Sequence, residues 1–262
     1  FILFFNSRNI RRKSIPDTLL AWKYFTDQLP EDEAKNCYFV LHTELISDAG
    51  TNLQAVVDNL FGSNYNNIMF STSKVSAQQL NHFYNAADAQ ILLSSAEGWG
   101  LSLTEALLTG TPIIANVTGG MQDQMRFEDK NGDWIDFDAD IPSNHTGAYK
   151  KHGKWAFPVF PNNRSLVGSP PTPYIWDDRC CAEDAAKQIM KVYKIDSNKR
   201  EKLGKAGYKW AISDEAGFTS KHMSERVMTS LDKLFNTWTP RNHYELININ
   251  EIKEDVLPHK LL

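Results

Sequence analysis

Over its first 125 residues the chain alternates short, unbroken apolar runs with stretches of helical spacing, and no other feature restricts its fold as much. The runs are Phe1–Phe5, Cys37–His42, Asn67–Phe70, Ala89–Leu93 and Thr111–Ala115. Between them, Ser14–Leu29 carries Leu19, Leu20, Trp22 and Phe25 at helical spacing, with Pro16 tolerable in a first turn. Asn52–Phe61 places Leu53, Val56, Val57 and Leu60 in the same way, Ser76 opens a helix through Leu80, Phe83 and Tyr84, and Ser102–Leu108 follows the fourth run. Gly119-Gly120 reads as the opening of a further helix. Apolar runs without polar alternation are what strands covered on both faces look like. Strands separated by single helices predict βαβ units, and hence an α/β fold with a parallel sheet and helices on both faces.

The pattern breaks at residue 126. Residues 126–178 are rich in Asp, Asn, Gly and Pro, with Trp134, Trp155, Phe157 and Trp176 scattered among them. They read as an irregular insertion with a hairpin around Trp155–Phe160 and a stiff, extended Ser169–Pro173. Helices resume at Ala182–Tyr193, Ser197–Ala211 and Glu215–Phe235. Residues 1–238 are therefore expected to form one domain containing the insertion, and residues 239–262 a tail. The first run begins without an initiating Met, so an N-terminal part is expected to be missing from this chain.

Composition narrows the function classes. A net charge of −4 and a pI near 6 argue against a nucleic-acid binder, which carries a basic excess. No run approaches the roughly 20 apolar residues of a membrane span. Three cysteines, two of them adjacent (Cys180 and Cys181), make a poor disulfide framework and fit reduced thiols in a cytoplasm. Sequons at Asn116, Asn144 and Asn163 would matter only in a secretory pathway. No His/Cys cluster has metal-ligand spacing, so no metal is expected. Neither a dinucleotide fingerprint nor a P-loop nor a nucleophile elbow occurs, and no cofactor is expected.

The chemistry concentrates in Ser94–Asp123, which leaves a strand, crosses a glycine-rich loop and enters a helix. Ligands of open α/β sheets bind beyond the carboxyl ends of the strands. Gly98 and Gly100 let backbone approach a ligand, and the helix behind them offers unpaired N–H groups suited to a phosphate. Glu97 stands in the loop, where it could face a sugar. Glu105 stands one turn into the helix, where it could accept hydrogen bonds from vicinal hydroxyls. Ser102-x-x-Glu105 also reads as a capping box, in which Glu105 serves the helix start. A second element follows the first strand: Arg8 and, five residues on, Lys13. A basic cluster there could bind a phosphorylated small molecule, and it reads equally as a solvated loop.

Glu97-Gly98-Trp99-Gly100-Leu101 with Glu105, then Gly110-Thr-Pro and Gly119-Gly120, resembles the Glu-x7-Glu signature of retaining GT-B type glycosyltransferases. It is most similar to their group 1 family. The likeness runs over most of residues 1–125 and more weakly over 180–236. It implies the C-terminal, donor-binding domain of such an enzyme, with a Rossmann-like sheet. It also implies a nucleotide-diphosphate sugar, such as a UDP- or GDP-sugar, as donor. By this resemblance Glu97, Arg8 and Lys13 are the catalytic candidates: Glu97 contacts the transferred sugar, while Arg8 and Lys13 contact the diphosphate. Gly98, Trp99, Gly100, Leu101, Glu105, Gly119 and Gly120 are the donor-binding candidates, with Glu105 on the ribose. The family often has Gly before the Arg, where this chain has Ser7. Ser76–Asp88 resembles the helix before the signature strand, and Ser71–Val75 would lie near the base. His42, at the end of the second run, reads as structural.

The expected function is transfer of a sugar to an unknown acceptor with retention, the acceptor domain being supplied by a missing N-terminal region or a partner chain. The rival readings are a sugar-nucleotide epimerase or a phosphorylase of the same architecture and a non-catalytic module that binds a sugar nucleotide or serves assembly.

Overall fold

A computed structural model describes residues 1–62, 67–135 and 143–240. The chain forms two compact units, Phe1–Thr219 and Ser220–Leu262. The first holds a six-stranded sheet of β1 (Ile2–Asn6), β2 (Tyr38–His42), β3 (Ile68–Ser71), β4 (Ala89–Leu92), β5 (Ile113–Asn116) and β6 (Ala156–Val159). The spatial order is β3-β2-β1-β4-β5-β6, and every neighbouring pair is parallel. This is the doubly wound order, whose direction reverses between β1 and β4. The expected parallel sheet is therefore present, each apolar run supplying one strand.

Helices α1 (Ile15–Thr26), a short α2 (Glu31–Ala34), α3 (Leu53–Phe61), α4 (Ala77–Ala86), α5 (Leu101–Leu108), α6 (Ala182–Tyr193) and α7 (Ser197–Ala211) surround the sheet. Right-handed crossovers put α1 and α3 on one face and α4 and α5 on the other. In agreement, α1 packs on α3 and α6, whereas α5 packs on α7. Strands β4 and β5 are buried along their whole length. Leu19, Trp22 and Phe25 of α1 fill one side of the core, and Leu103, Ala106 and Leu107 of α5 the other. Two helix starts follow sequence rules closely. Asn52 caps α3 through the Ala55 N–H, and Ser76 with Gln79 forms a capping box on α4.

Residues 126–178 depart from expectation. Trp155–Phe160 is not a hairpin: β6 lies within it and adds the sixth parallel strand against β5. Pro158 is tolerated there because β6 is an edge strand, with one side free of ladder hydrogen bonds. The hairpin comes later, as β7 (Asn163–Ser169) paired antiparallel with β8 (Thr172–Arg179). Pro170 and Pro171 form its turn, so Ser169–Pro173 is folded back and not a stiff extended stretch. The partner of β6 is about 40 residues away in sequence, beyond the reach of local periodicity. Residues 136–142 of this region lie outside the described residues.

The last helix, α8 (Ser220–Thr237), starts five residues later than expected and belongs to the second unit. Helix α8 buries none of its residues. Most of the expected tail, from residue 241 on, lies outside the described residues.

The root of the hairpin is clamped by one fully buried carboxylate. Asp178 accepts hydrogen bonds from Thr118 Oγ1 (2.7 Å), Ser143 Oγ (2.6 Å) and Asn144 Nδ2 (2.6 Å). Its carbonyl accepts from Asn116 Nδ2 at 2.6 Å, and its N–H donates to the Ser95 carbonyl at 2.8 Å. Asn116 and Asn144, read as sequons, are therefore buried and committed to this cluster. Removing a carboxylate strands its donors, each at a cost of about 1–3 kcal/mol. Asp178→Ala should lower the unfolding free energy by roughly 3 kcal/mol or more, read by chemical denaturation.

Candidate functional site

The loops leaving β1 and β4 diverge at the point where the strand order reverses, and a cleft of about 440 Å³ opens between them. It is lined by Asn6, Ser7, Arg8 and Lys13 from the β1 side. Glu97, Trp99, Gly100, Leu101, Ser102 and Glu105 line it from the β4 side. Two elements far apart in sequence are thus brought together.

Each wall has a local cause. After β1 the chain makes a single helical turn, Arg11–Lys13, and Ser14 adopts a left-handed conformation (φ 49°) before α1 begins. That turn aims Lys13 at the β4 loop. On the other side Gly100 is the N-cap of α5 at φ 84°, a region that a side chain strains. A Cβ there would also press on Met121 Cγ at 3.2 Å. Helix α5 starts at Leu101, so Ser102 is inside the helix and not its cap. The capping-box reading of Ser102-x-x-Glu105 therefore fails, and Glu105 is free of that duty. In the first turn of α5 the Leu103 N–H is taken by the Gly100 carbonyl at 2.9 Å, which leaves those of Leu101 and Ser102, both lining the cleft, without an intrahelical partner.

Glu97 is engaged. Its Oε2 lies 2.7 Å from Arg12 Nη1, while Oε1 accepts from Lys13 Nζ and, at 2.9 Å, from Ser94 Oγ. Its side chain is only 6% exposed and that of Lys13 12%. Burial alone would raise the Glu97 carboxyl, but the hydrogen bonds from Lys13 and Arg12, the Lys13 charge and the Ser94 hydroxyl together hold it below the usual carboxylate range. Burial also pulls the Lys13 ammonium below its ordinary value, against the pull of Glu97. Glu97 thus has a structural duty as well as its place in the cleft. Arg8, by contrast, is exposed, and its guanidinium forms no ion pair among the described residues.

Glu105, at the far end of the cleft, accepts from Tyr84 Oη at 2.6 Å and from Asn6 Nδ2 at 3.5 Å. Asn6 Nδ2 also donates to Tyr84 Oη at 2.9 Å. Burial keeps the Tyr84 phenol protonated far above its ordinary range, and Glu105 reinforces this. The network fixes the Glu105 carboxylate while leaving the residue exposed.

The remaining candidates shape the loop. Trp99 Nε1 donates to Thr104 Oγ1 at 2.8 Å, Thr104 Oγ1 donates to Gln124 Oε1 at 2.8 Å, and Gln124 Nε2 returns to the Trp99 carbonyl at 2.6 Å. Gly119 and Gly120 do not line the cleft and open only a short turn, Gly119–Met121. They press on the back of the Glu97 loop: a Cβ on Gly119 would overlap the Glu97 carbonyl, and one on Gly120 the Gly98 carbonyl. The Gly119 N–H donates to Ser143 O at 2.7 Å. Gly98 is exposed beside the cleft. A second recess of about 240 Å³ adjoins, sharing Ser7 and Arg8 and continuing past His42, Thr43 and Glu44 to Ser71–Lys74. His42 holds Ser71 Oγ at 3.0 Å. Sequence reading missed Arg12, Asn6, Ser94, Thr104 and Gln124; only Arg12, in a run of three cations, carried a visible signal.

Residues 50–141 match the family model "Glycosyl transferases group 1". An uncharacterized glycosyltransferase of Methanocaldococcus jannaschii is 27% identical over 121 residues, which is 46% of this chain and 29% of that protein. Among solved structures, sucrose-phosphate synthase of Thermosynechococcus elongatus superposes with a TM-score of 0.60 at 20% identity, covering 90% of this chain and 46% of the synthase. HepE of Anabaena, solved in complex with UDP and glucose, gives a TM-score of 0.57 at 16% identity, covering 89% of this chain and 48% of that one. The chain spans less than half the length of each of these proteins. The family-model match and the partial relative make the chain similar to the glycosyltransferase group 1 family over part of its length, and the solved structures show a shared Rossmann-like fold. Among the described residues no helix is long and apolar enough to cross a membrane.

Because the folded Glu97 carboxyl lies below its unfolded value, the stability it contributes is present above the ordinary carboxylate range. That stability is lost as pH falls through the depressed folded value. The difference in unfolding free energy between the parent protein and Glu97→Gln should be widest near neutrality and close as pH falls below about 4. A difference constant across that window would contradict the ion-pair account.

Proposed function

We propose that this chain is the donor-binding half of a retaining glycosyltransferase. It would move a sugar from a nucleotide-diphosphate sugar, of the UDP or GDP kind, to an acceptor without a metal. The observation that carries this reading is the polarity of the cleft: cations Arg8 and Lys13 stand at one side, the start of α5 lies between, and a fixed carboxylate, Glu105, closes the far end.

A diphosphate seated there meets Arg8, the Lys13 ammonium and the Leu101 and Ser102 N–H groups at the start of α5, all suited to anionic oxygens. As the bond from the anomeric carbon to the diphosphate breaks, negative charge grows on the leaving group. Cations already in place stabilise that charge with little reorganisation. Glu105, held by Tyr84 and Asn6, accepts hydrogen bonds from the ribose hydroxyls, and the recess along His42 and Ser71–Lys74 takes the base. Glu97, at the sugar end of the loop, contacts the transferred sugar. Trp99, Gly100 and Leu101 form the adjoining wall, and Gly98, Gly119 and Gly120 keep the loop in shape. The acceptor is bound by a domain or chain other than the one described.

Calorimetric titration with uridine, guanosine and adenosine diphosphates and their sugars tests this reading. Arg8→Ala and Lys13→Ala should each weaken nucleoside diphosphate binding about 10–100-fold, the worth of a charged hydrogen bond. Glu105→Gln should weaken the nucleotides but leave inorganic pyrophosphate unaffected, because only the former carry a ribose. If none of these nucleotides binds the unaltered protein, the reading loses its base.

A further inference from the structure

Arg12 does not line the cleft, yet its side chain and its main chain both bond to the loop that does. Its Nη1 donates to Glu97 Oε2 at 2.7 Å and to the Ala96 carbonyl at 2.7 Å. Its own carbonyl accepts from the Ser95 N–H at 2.8 Å and from Ser95 Oγ at 3.3 Å. Side chain and main chain together tie the Arg11–Lys13 turn to residues 95–97.

We infer that Arg12 is a positioning residue for the donor: by holding the Glu97 carboxylate it leaves the charge of Lys13 available to a diphosphate. The inference rests on the donor-site reading above. Lys13 and Glu97 alone form a neutral, nearly buried pair, which gives an incoming anion little attraction. With Arg12 added, two cations share one carboxylate and a positive charge is left over on the cleft side. Lys13 must also turn from Glu97 toward the phosphate, and a buried carboxylate deprived of its partner is costly. Arg12 on Oε2 and Ser94 on Oε1 remain to satisfy Glu97 when Lys13 leaves. The Arg12 side chain is 42% exposed and lies outside the cleft lining.

The other groups around Glu97 do not replace it. Gly119 and Gly120 present only backbone to the loop. Asp178, bonded to Ser95 through its N–H, spends its carboxylate on Thr118, Ser143, Asn144 and, at 3.5 Å, Arg164. Arg8 and Glu105 line the cleft, and neither is bonded to Glu97.

The test titrates uridine diphosphate and inorganic pyrophosphate into the unaltered protein, Arg12→Gln, Arg12→Lys, and the double variant Arg12→Gln with Glu97→Gln. Arg12→Gln should weaken both ligands about tenfold or more, the worth of one charged contact. Arg12→Lys should stay within a few-fold of the parent. The double variant should recover most of the lost affinity, because a neutral amide in place of the Glu97 carboxylate no longer sequesters Lys13. It also avoids an unpaired buried carboxylate, so it remains informative if Arg12→Gln does not fold. A purely structural role for Arg12 predicts a double variant at least as weak as the single, and that result overturns the inference, as does an unchanged affinity in Arg12→Gln. Failure of the unaltered protein to bind any nucleoside diphosphate would instead remove the donor reading itself.

Discussion

The ion-pair cluster of Glu97 with Arg12 and Lys13 is the interaction on which the site depends. It joins two loops that the sheet brings side by side and then sends apart, at the position where strand order reverses. Strands β1 and β4 are adjacent, so their ends are fixed relative to each other by the ladder. Their loops are not, and without a bond across the gap the cleft would have no defined width. A carboxylate between two cations supplies that bond together with the hydrogen bonds of Arg12 to Ser95 and Ala96, and its burial demands good geometry: an exposed pair would contribute little, whereas a desolvated one must be well matched.

The rest of the site is built to hold that carboxylate in place. Gly119 and Gly120 let the β5 turn close against the Glu97 backbone, where a side chain would collide. The Trp99–Thr104–Gln124 chain of hydrogen bonds fastens the loop to the start of α5. Asp178 then ties the root of the β7–β8 hairpin to both Ser95 and Thr118, bracing the same loop from a third direction. Residues that touch no ligand thereby set the position of those that would.

How much of this the sequence reveals depends on the range of the cause. Strands β1 to β5 announce themselves as apolar runs; in β1, β4 and β5 burial on both faces leaves little room for polar alternation, whereas β2 and the edge strand β3 are only partly covered. Helices α6 and α7 are legible to the residue from their amphipathic spacing. Strand β6 is not, since its apolar run is equally consistent with a hairpin and only its distant partner β5 decides the matter. The same limit applies within the site. Glu97, Glu105, Arg8 and Lys13 are visible as a pattern, but that Glu97 is already paired with Arg12 follows only from folding two distant segments together. Glu105 shows the converse case. Its local sequence suggests a capping box, and tertiary structure instead gives it to Tyr84 and Asn6 because Gly100 takes the cap position.

The central claim is that Arg8, Lys13 and the start of α5 together receive a diphosphate. The most direct measurement is a crystal structure of the protein with a bound nucleoside diphosphate. Phosphate oxygens should then lie within hydrogen-bond distance of Arg8, of Lys13 turned away from Glu97, and of the first N–H groups of α5, with Arg12 still on Glu97. A nucleotide bound elsewhere, or a phosphate that leaves the Lys13–Glu97 pair intact and untouched, would contradict it.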